Sequence, residues 1–228
     1  GAEVSFLAAI GDDSNGRTCI KVAKENGLNA NFAVKKGEKT TIAFILTDKD
    51  GENRVTGMHG AKLCVADVEG FENDIKEADI LLLQQEVPVE VNEKAVEIAK
   101  KYGTKVILNP APAREISHYI SQNVFMVTPN EVEQEAIDIR NFENCITTLG
   151  SKGCLINGKT AISSIKVKAV DTTGAGDTFN GHLAYGILCK LPLDEAIERA
   201  QYAAAMKITS ATAQQGMPFR QELDNYID

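Results

Sequence analysis

The segment from Asp171 to Gly181 combines the residue types that phosphate chemistry requires. It reads Asp-Thr-Thr-Gly-Ala-Gly-Asp-Thr-Phe-Asn-Gly and passes from a turn of small residues into apolar residues at helical spacing. The spacing predicts a helix that begins between Gly174 and Asp177, so that its first backbone amides have no acceptor within the helix. Such amides bind anions, and glycines allow an anion to approach the backbone closely. The segment therefore predicts a phosphate-binding turn.

Asp177 is the residue of this turn that could act as a general base. A carboxylate beside an anion hole could take the proton of a hydroxyl group. The amides of Gly174, Ala175 and Gly176 would then stabilise the group that is transferred. The alternative is that Asp177 only complements the helix dipole, as acids in a first helical turn often do.

Polar side chains also follow two other apolar runs of the sequence. Glu86 comes soon after the run 80–83, which places a carboxylate at the carboxyl end of a predicted strand. Asn130 and Glu133 are three residues apart at the start of a predicted short helix, so their side chains share one face. Capping of that helix by Asn130 is the competing interpretation, and it does not exclude a ligand role.

A turn that contains Gly150 and Gly153 follows another predicted buried strand. Thr148 and Ser151 belong to the same stretch, and a glycine-rich turn in this position can lie against a nucleotide. Lys152 is interpreted as a solvated lysine, with an approach to a phosphate as the alternative.

Parallel strands alternating with helices are the elements that must position these residues. Continuously apolar runs predict buried strands, and 3.6-residue periodicity predicts the helices between them. The predicted strands are 4–10, 80–83, 105–108, 124–127 and 145–149, and the predicted helices are 91–102, one from about Gly174 and one from about Pro192. We therefore expect a three-layer α/β fold with a mostly parallel central sheet and with ligands at the carboxyl ends of its strands.

Two hairpins and one capped helix complete the predicted elements. The segments 39–47 and 53–56 flank Asp50-Gly51, and this hairpin is either a β lid or a plain edge hairpin. A second hairpin is centred on Asn157-Gly158. After the first strand, Ser14 or Asn15 is the expected helix cap, and Gly27 is the expected stop.

Composition narrows the class of protein. The 228 residues fit one α/β domain, and the net charge of −8 disfavours binding to nucleic acid. The five cysteines lack CxxC spacing, and the three histidines share no ligand spacing. No apolar run reaches membrane-spanning length, and no leader is recognised, so the expected location is the cytoplasm.

Several stretches resemble, in order, the motifs of the ribokinase family of carbohydrate kinases. The segment from Asp171 to Gly181 is similar to the carboxyl-terminal signature of that family. The other matching stretches are Gly11-Asp12-Asp13 with Gly16, Leu82-Leu83-Gln84-Gln85-Glu86-Val87-Pro88, Leu108-Asn109-Pro110-Ala111-Pro112-Ala113, Thr128-Pro129-Asn130-Glu131-Val132-Glu133, and Thr148-Leu149-Gly150-Ser151-Lys152-Gly153. The resemblance covers almost the whole chain, and it is strongest to members that act on ribose.

The resemblance implies a ribokinase-like fold and transfer of the γ-phosphoryl group of ATP to the 5-hydroxyl of D-ribose, with Asp177 as base. It implies that Glu86 binds the sugar and that the β lid near 39–58 covers the sugar and forms a homodimer. It further implies ligand roles for three groups of residues. These are Asn130, Thr148, Leu149, Gly150, Ser151, Lys152, Gly153, Gly176 and Gln201 for the nucleotide, Asn130 and Glu133 for Mg²⁺ through water, and Asp171, Thr173, Lys207, Ser210, Thr212 and Gly216 for K⁺.

The potassium site of the resemblance is made largely of backbone carbonyls, which is why a lysine at position 207 is compatible with it. Gly216 stands where a hydroxyl side chain often helps to bind the cation, so the sequence leaves the affinity for the cation open. Potassium would order the phosphate-binding turn without contacting ATP.

Two features depart from the family pattern. An Asn-x-Asp strand and a Gly-Gly-Lys-Gly-x-Asn loop are absent before Gly1, and the stretch between Ala136 and Cys145 is shorter than in the family. We expect that segments of the natural protein are missing from this chain. The alternatives to a ribose kinase are a kinase for another sugar or nucleoside and an inactive relative that binds sugar or nucleotide.

Overall fold

The computed structural model describes residues 1–47 and 53–227. The chain forms two compact units. The larger unit consists of Gly1, Asp79–Gln85 and Lys105–Asp228, and the smaller unit consists of Ala2–Ala78 and Glu86–Thr104. In the part of the chain that the structure describes, no helix has the length and apolarity needed to cross a bilayer. Organisation of residues 1–228 as one kinase domain with a lid stays a prediction.

The smaller unit opens with a parallel strand pair joined by a helix. Strands β1 (Ser5–Gly11) and β2 (Asn29–Lys35) pair in parallel, and α1 (Ser14–Glu25) connects them. The predicted cap at Ser14 or Asn15 is wrong by one or two residues, because Asp13 accepts the Gly16 amide at 2.9 Å. A carboxylate just before the first turn reaches this amide from extended backbone, as an N-cap requires.

The predicted first hairpin is present. Strands β3 (Ile42–Thr47) and β4 (Asn53–Met58) are antiparallel, and the Asp50-Gly51 turn lies outside the described residues. Phe44, Leu46 and Met58 are apolar and exposed, at 51%, 63% and 60% of their possible accessible surface. This apolar surface is compatible with a lid, but the lid and its pairing with a second subunit stay predictions.

Three helices complete the smaller unit. They are α2 (Val65–Glu69), α3 (Glu72–Glu77) and α4 (Val89–Tyr102). The helix α4 starts directly after Pro88, two residues before the predicted start, and ends at Gly103 in the left-handed conformation (φ 79°). Val96 and Ala99 on its inner face are fully buried, which is the amphipathic packing that the sequence predicts.

The larger unit contains a parallel sheet that continues into an antiparallel one. Strands β5 (Ile80–Gln84), β6 (Lys105–Asn109) and β7 (Met126–Val127) lie side by side in parallel. Strands β8 (Ile146–Thr148), β9 (Cys154–Ile156) and β10 (Thr160–Ile162) are antiparallel. Parallel bridges from Val127 to Cys145 and from Asn130 to Thr148 join the two sets. The predicted parallel strands are present, although β7 and β8 are shorter than expected.

The Asn157-Gly158 hairpin forms as predicted. Both residues have positive φ, 50° and 67°, which is the backbone of the two-residue turn that matches strand twist. The Asn157 side chain also accepts the Cys145 amide at 2.7 Å. This second bond ties the turn to the strand beside it.

The helices of the larger unit are α5 (His118–Ser121), α6 (Glu131–Glu135), α7 (Ala175–Leu188), α8 (Leu193–Ile208) and α9 (Arg220–Ile227), with short 3-10 turns at Ile139–Asn141 and Gly150–Lys152. The two long helices, α7 and α8, pack on each other. The helix α9 was not expected from the sequence. The first 3-10 turn lies between Ala136 and Cys145, in the stretch that the sequence analysis expects to be shortened.

The core of the larger unit fixes where α7 begins. Leu183 and Ile197 are fully buried between α7, α8 and the sheet, and Phe179 is 4% exposed. At Gly186 an added Cβ would lie 2.7 Å from the Cβ of Ala196, so this glycine permits close packing of the two helices. Burial of these apolar groups stabilises the packing of α7, with its N-terminus beside the end of β5.

Candidate active site

The phosphate-binding turn has the helix start that the sequence predicts. The helix α7 begins at Ala175, and Gly174 before it adopts a left-handed backbone with φ of 81°. A side chain at Gly174 would be strained in this conformation, which glycine adopts without cost. The turn therefore depends on this glycine for its shape.

The amides of the turn differ in one respect from the prediction. The Ala175 amide was expected to be free, but it donates to the Thr172 carbonyl at 3.1 Å. The Ala175 amide is therefore used within the turn and is not available to a ligand. Among the residues that the structure describes, the amides of Gly174, Gly176 and Asp177 have no acceptor. These three donors lie at the positive end of the helix dipole and constitute a candidate anion hole.

Gly176 leaves open space in front of the anion hole. A Cβ added there would meet no atom within 4 Å, and its φ is not positive. Neither packing nor backbone strain therefore requires glycine at this position. The absence of a side chain keeps the amides accessible to a ligand.

Asp177 is exposed at the same helix start, and a strand residue orients it. The side-chain amide of Gln84, the last residue of β5, donates to Oδ1 of Asp177 at 3.0 Å. The carboxylate retains a second oxygen that can accept a proton. Gln84 belongs to a motif that the sequence analysis recognised, but its contact with Asp177 was not predicted.

A buried polar network supports the turn from below. Asn180 donates to the Gly176 carbonyl at 2.9 Å and accepts the Thr128 hydroxyl at 2.6 Å. Asn109 in turn donates to the Thr128 carbonyl at 3.0 Å. Sequence reasoning missed Asn180 and Thr128. The available signal was an asparagine one turn into an otherwise apolar helix face, since a buried amide requires partners.

Asn130 and Glu133 form a capping box at the start of α6. The Asn130 side chain accepts the Glu133 amide at 2.8 Å, and the Glu133 carboxylate accepts the Asn130 amide at 2.9 Å. The capping interpretation of Asn130 is thus confirmed. Burial raises the pKa of Glu133, because the charged carboxylate is poorly hydrated there.

The same pair has capacity left for a hydrated cation. No ion pair between described residues includes Glu133, so its charge has no compensating cation from this part of the chain. Each carboxylate oxygen of Glu133 accepts a hydrogen bond from Asn130 and has a further lone pair for a water molecule. Among residues 1–47 and 53–227, no group of three or more His, Cys, Asp or Glu side chains could hold a metal directly.

The glycine-rich turn after β8 is shaped by its own packing. Gly150 and Gly153 have φ of 54° and 95°. A Cβ at Gly153 would lie 1.9 Å from the Ile162 carbonyl oxygen, so only glycine fits there. Lys152 pairs with Glu131 at 3.2 Å and is exposed, in agreement with the interpretation of a solvated lysine. Nucleotide contacts by Thr148, Leu149 and Ser151 stay predictions.

Gln201 lies beneath this turn rather than on the surface. It is 7% exposed, and its side-chain amide donates to the Cys154 sulfur at 3.2 Å and the Ile162 carbonyl at 3.4 Å. Its Oε1 is buried and has no partner in the described part of the chain. A contact of Gln201 with the nucleotide stays a prediction.

Glu86 and Gln85 are neighbours with different surroundings. The Glu86 side chain is exposed, and its predicted role in binding sugar stays a prediction. Gln85 is buried, and its Nε2 donates to the carbonyls of Pro110, Pro112 and Arg114 at 3.3, 3.4 and 3.2 Å. Gln85 therefore fixes the loop that carries the Asn-Pro-Ala-Pro-Ala motif.

The predicted potassium residues do come together near the end of α8. Asp171 Oδ1 accepts the Thr173 amide at 2.9 Å, and the Ser210 amide donates to the Lys207 carbonyl at 3.0 Å. A potassium site made only of backbone carbonyls would leave the side chain of Lys207 free to point to solvent, but it does not do so. It is fully buried, and its Nζ donates to the Asp171 carbonyl at 2.8 Å.

An α/β fold with a glycine-rich helix N-terminus and an exposed carboxylate in its first turn is typical of enzymes that transfer phosphate to small molecules. The chain belongs to the pfkB family of carbohydrate kinases, whose family model matches residues 1–220. It is a kinase with a ribokinase-like fold.

Similar proteins include several ribokinases. The Haemophilus influenzae ribokinase is 35% identical over 252 residues, which cover 100% of this chain and 82% of that protein. The Lactococcus lactis ribokinase is 35% identical over 230 residues, which cover 95% of this chain and 76% of that protein. The crystal structure of Thermotoga maritima ribokinase superimposes with a TM-score of 0.86 at 32% identity and covers 98% of this chain and 80% of that chain.

Proposed function

We propose that this protein is an ATP-dependent sugar kinase that phosphorylates the 5-hydroxyl of D-ribose, with Asp177 as the general base. One observation carries the proposal: the exposed Asp177 carboxylate and three amides without acceptors in the described chain occupy the same helix start. Similarity to ribokinases at 35% identity over the full chain supports ribose as the acceptor.

In this mechanism the residues of the turn have separate tasks. Asp177 accepts the proton of the sugar hydroxyl as that oxygen attacks the γ-phosphorus. The amides of Gly174 and Gly176 donate to the phosphoryl oxygens, where negative charge spreads in the transition state. Gln84 holds the carboxylate in one orientation, so that the base is already in place when the substrates bind.

Mg²⁺ fits this proposal as a hydrated ion. Mg²⁺ keeps several of its waters and binds mainly to phosphate oxygens, and it would supply neutralisation of phosphate charge. The buried Glu133 carboxylate, with lone pairs left beyond the capping box, would accept hydrogen bonds from those waters. Asn130 would fix Glu133 in the necessary orientation.

The remaining assignments extend the proposal to the nucleotide and the sugar. The turn at 148–153, together with Gln201, would lie against ATP, and Glu86 would accept hydroxyl groups of the sugar. The exposed apolar residues of the hairpin would be covered in a homodimer, with the hairpin as a lid. Activation by K⁺ is left out of the proposal, because Lys207 occupies part of the predicted site.

The test is ADP formation by the purified protein with ribose, other pentoses, deoxyribose and nucleosides as acceptors. Ribose is expected to give the highest kcat/KM, with the product identified as ribose 5-phosphate by ³¹P NMR. A higher kcat/KM for a nucleoside would show that the substrate is a nucleoside instead of ribose. The absence of turnover with every acceptor would favour an inactive relative that binds sugar or nucleotide.

The role of Asp177 is tested with a matched pair of variants. Asp177→Asn is expected to lower turnover by at least about a hundredfold while ATP affinity changes little. Asp194→Asn removes an exposed first-turn acid from α8 and is expected to leave turnover unchanged. Similar turnover for the two variants would show that Asp177 only complements the helix dipole.

A further inference from the structure

Lys207 is a buried lysine whose position has a structural explanation. It lies in the last turn of α8, with 0% of its surface exposed. Burial of an ammonium group is costly unless its charge is compensated. Its Nζ donates to the Asp171 carbonyl at 2.8 Å. The negative end of the α8 dipole lies at the same place and favours a cation.

The end of α8 holds the backbone of Asp171 through both its carbonyl and its amide. While Lys207 Nζ binds the Asp171 carbonyl, the Ile208 carbonyl accepts the amides of Val170 and Asp171 at 2.7 and 3.2 Å. Donors and acceptors from two consecutive residues of α8 thus fix the chain just before the phosphate-binding turn.

Hydrogen bonds carry this anchor forward to the anion hole. The Asp171 carboxylate accepts the Thr173 amide at 2.9 Å, and the Thr172 carbonyl accepts the Ala175 amide at 3.1 Å. Gly174 lies between these bonds and has a left-handed backbone conformation. The position of the Asp171 carbonyl therefore bears on the geometry of the anion hole.

The residues of the predicted potassium site do not fit a potassium ion in this arrangement. The Lys207 ammonium already binds the Asp171 carbonyl, and a second cation beside it would be repelled. At Gly216, a Cβ would lie 2.6 Å from the Ser210 Cβ and 3.0 Å from its Oγ, so there is no room for the hydroxyl side chain that helps in the family.

We propose that the Lys207 ammonium takes the place of the monovalent cation and positions the phosphate-binding turn, so that this kinase works without potassium. Lys207 is a positioning residue, because its Nζ donates to Asp171 rather than to the anion hole. The expected effect of Lys207 on kcat rests on the proposed function. The expected effect on the structure, that a built-in cation holds the turn, does not rest on it.

The first test compares salts on the unmutated protein. We expect equal melting temperatures and equal kcat in KCl and in tetramethylammonium chloride at matched ionic strength, since tetramethylammonium is too large for a carbonyl-lined cation site. A saturable rise of either quantity with KCl would overturn the proposal.

The second test removes the ammonium and offers a replacement ion. Lys207→Ala opens a polar space, so K⁺ or NH₄⁺ is expected to raise its melting temperature in a saturable manner, by mass action on the folded state. Without these ions, the kcat of Lys207→Ala is expected to fall tenfold or more, and the ions are expected to restore at least part of it.

Lys159→Ala, at an exposed turn lysine, is the control and is expected to show no response to these ions. A folded Lys207→Ala protein that neither ion stabilises would contradict the proposal.

Lys207→Met decides the question where the alanine variant does not fold. Methionine has similar length without charge, so this variant is expected to fold with reduced kcat and without rescue by salt. If Lys207→Met has the same kcat and melting temperature as the unmutated protein, the ammonium has no role in positioning the turn. The melting experiments need no substrate, so a wrong choice of sugar in the proposed function would leave their outcome unaffected.

Discussion

Gln84 Nε2 lies 3.0 Å from Oδ1 of Asp177, although the two residues are 93 positions apart in the sequence. The last residue of a strand thereby orients the first-turn carboxylate of a helix. A base held in one orientation reacts faster than a mobile one, because less ordering is needed in the transition state.

Replacement of Gln84 by Met removes this hydrogen bond and keeps a side chain of similar length. Turnover is expected to fall by about tenfold, with little change in ATP affinity, because Asp177, the proposed base, is still present but less well oriented. Steady-state kinetics with ribose and ATP measure both quantities. Gln122→Met, at an exposed glutamine, is the control. Equal turnover for Gln84→Met and the unmutated protein would remove the orienting role of Gln84.

Gly176→Ala is expected to change stability and activity in opposite directions. No atom lies within 4 Å of the added Cβ, and alanine favours a helix more than glycine does, by roughly 0.5–1 kcal/mol, so the melting temperature should rise. The methyl group would enter the space in front of the anion hole, so kcat should fall. Calorimetry and kinetics on one preparation test both effects. Gly181→Ala lies five residues further along α7, where an added Cβ also meets no atom within 4 Å, and should only stabilise. A Gly176→Ala protein with normal kcat would show that the space is not used.

Thr128→Val tests the network beneath the turn. Valine has nearly the shape of threonine but cannot donate to Asn180, and the bond it removes is 2.6 Å long and buried. The unpaired Asn180 oxygen is expected to cost about 1–3 kcal/mol of unfolding free energy, measured by urea denaturation. The variant Thr128→Ser retains the hydroxyl group, so it is expected to retain most of the free energy of unfolding of the unmutated protein. Comparable losses for Val and Ser would assign the effect to packing instead of hydrogen bonding.

The cap of α1 gives a pH-dependent prediction. Hydrogen bonds from the Gly16 amide and from Thr40 lower the pKa of Asp13 to about 2. The pKa is lower in the folded protein than the ordinary value of about 3.9 in an unfolded chain, so the ionised carboxylate stabilises the fold above that value. This contribution is lost as the pH falls through about 2.

Comparison with Asp13→Asn isolates the effect. The amide can still cap the helix but does not titrate, so the difference in melting temperature between the two proteins should be constant above about pH 4. It should shrink steadily toward pH 2, as Asp13 becomes protonated in the folded state. Thermal melts at several pH values measure this difference. A difference that stays constant down to pH 2 would contradict the lowered pKa.

Local sequence patterns predicted most elements of the fold, because their causes lie within a few residues. The positive φ of Asn157 and Gly158 and the start of α7 after Gly174 follow from turn and helix chemistry alone. The capping box of Asn130 and Glu133 was predictable for the same reason. Less periodic segments were harder to predict: α9 was not expected, and β7 proved shorter than its apolar run.

The sequence by itself determined the phosphate-binding turn, its glycines and the carboxylate at its lip, since these depend on backbone conformation and on residues that are neighbours along the chain. Only the tertiary structure decided which distant groups fix that turn. Gln84 contacts Asp177, and Lys207 reaches the Asp171 carbonyl from 36 positions away. From sequence, a lysine in the last turn of a helix is typical of a solvated residue that complements the helix dipole. Its burial against another segment depends on how α8 packs in the folded unit, and no local pattern specifies that packing.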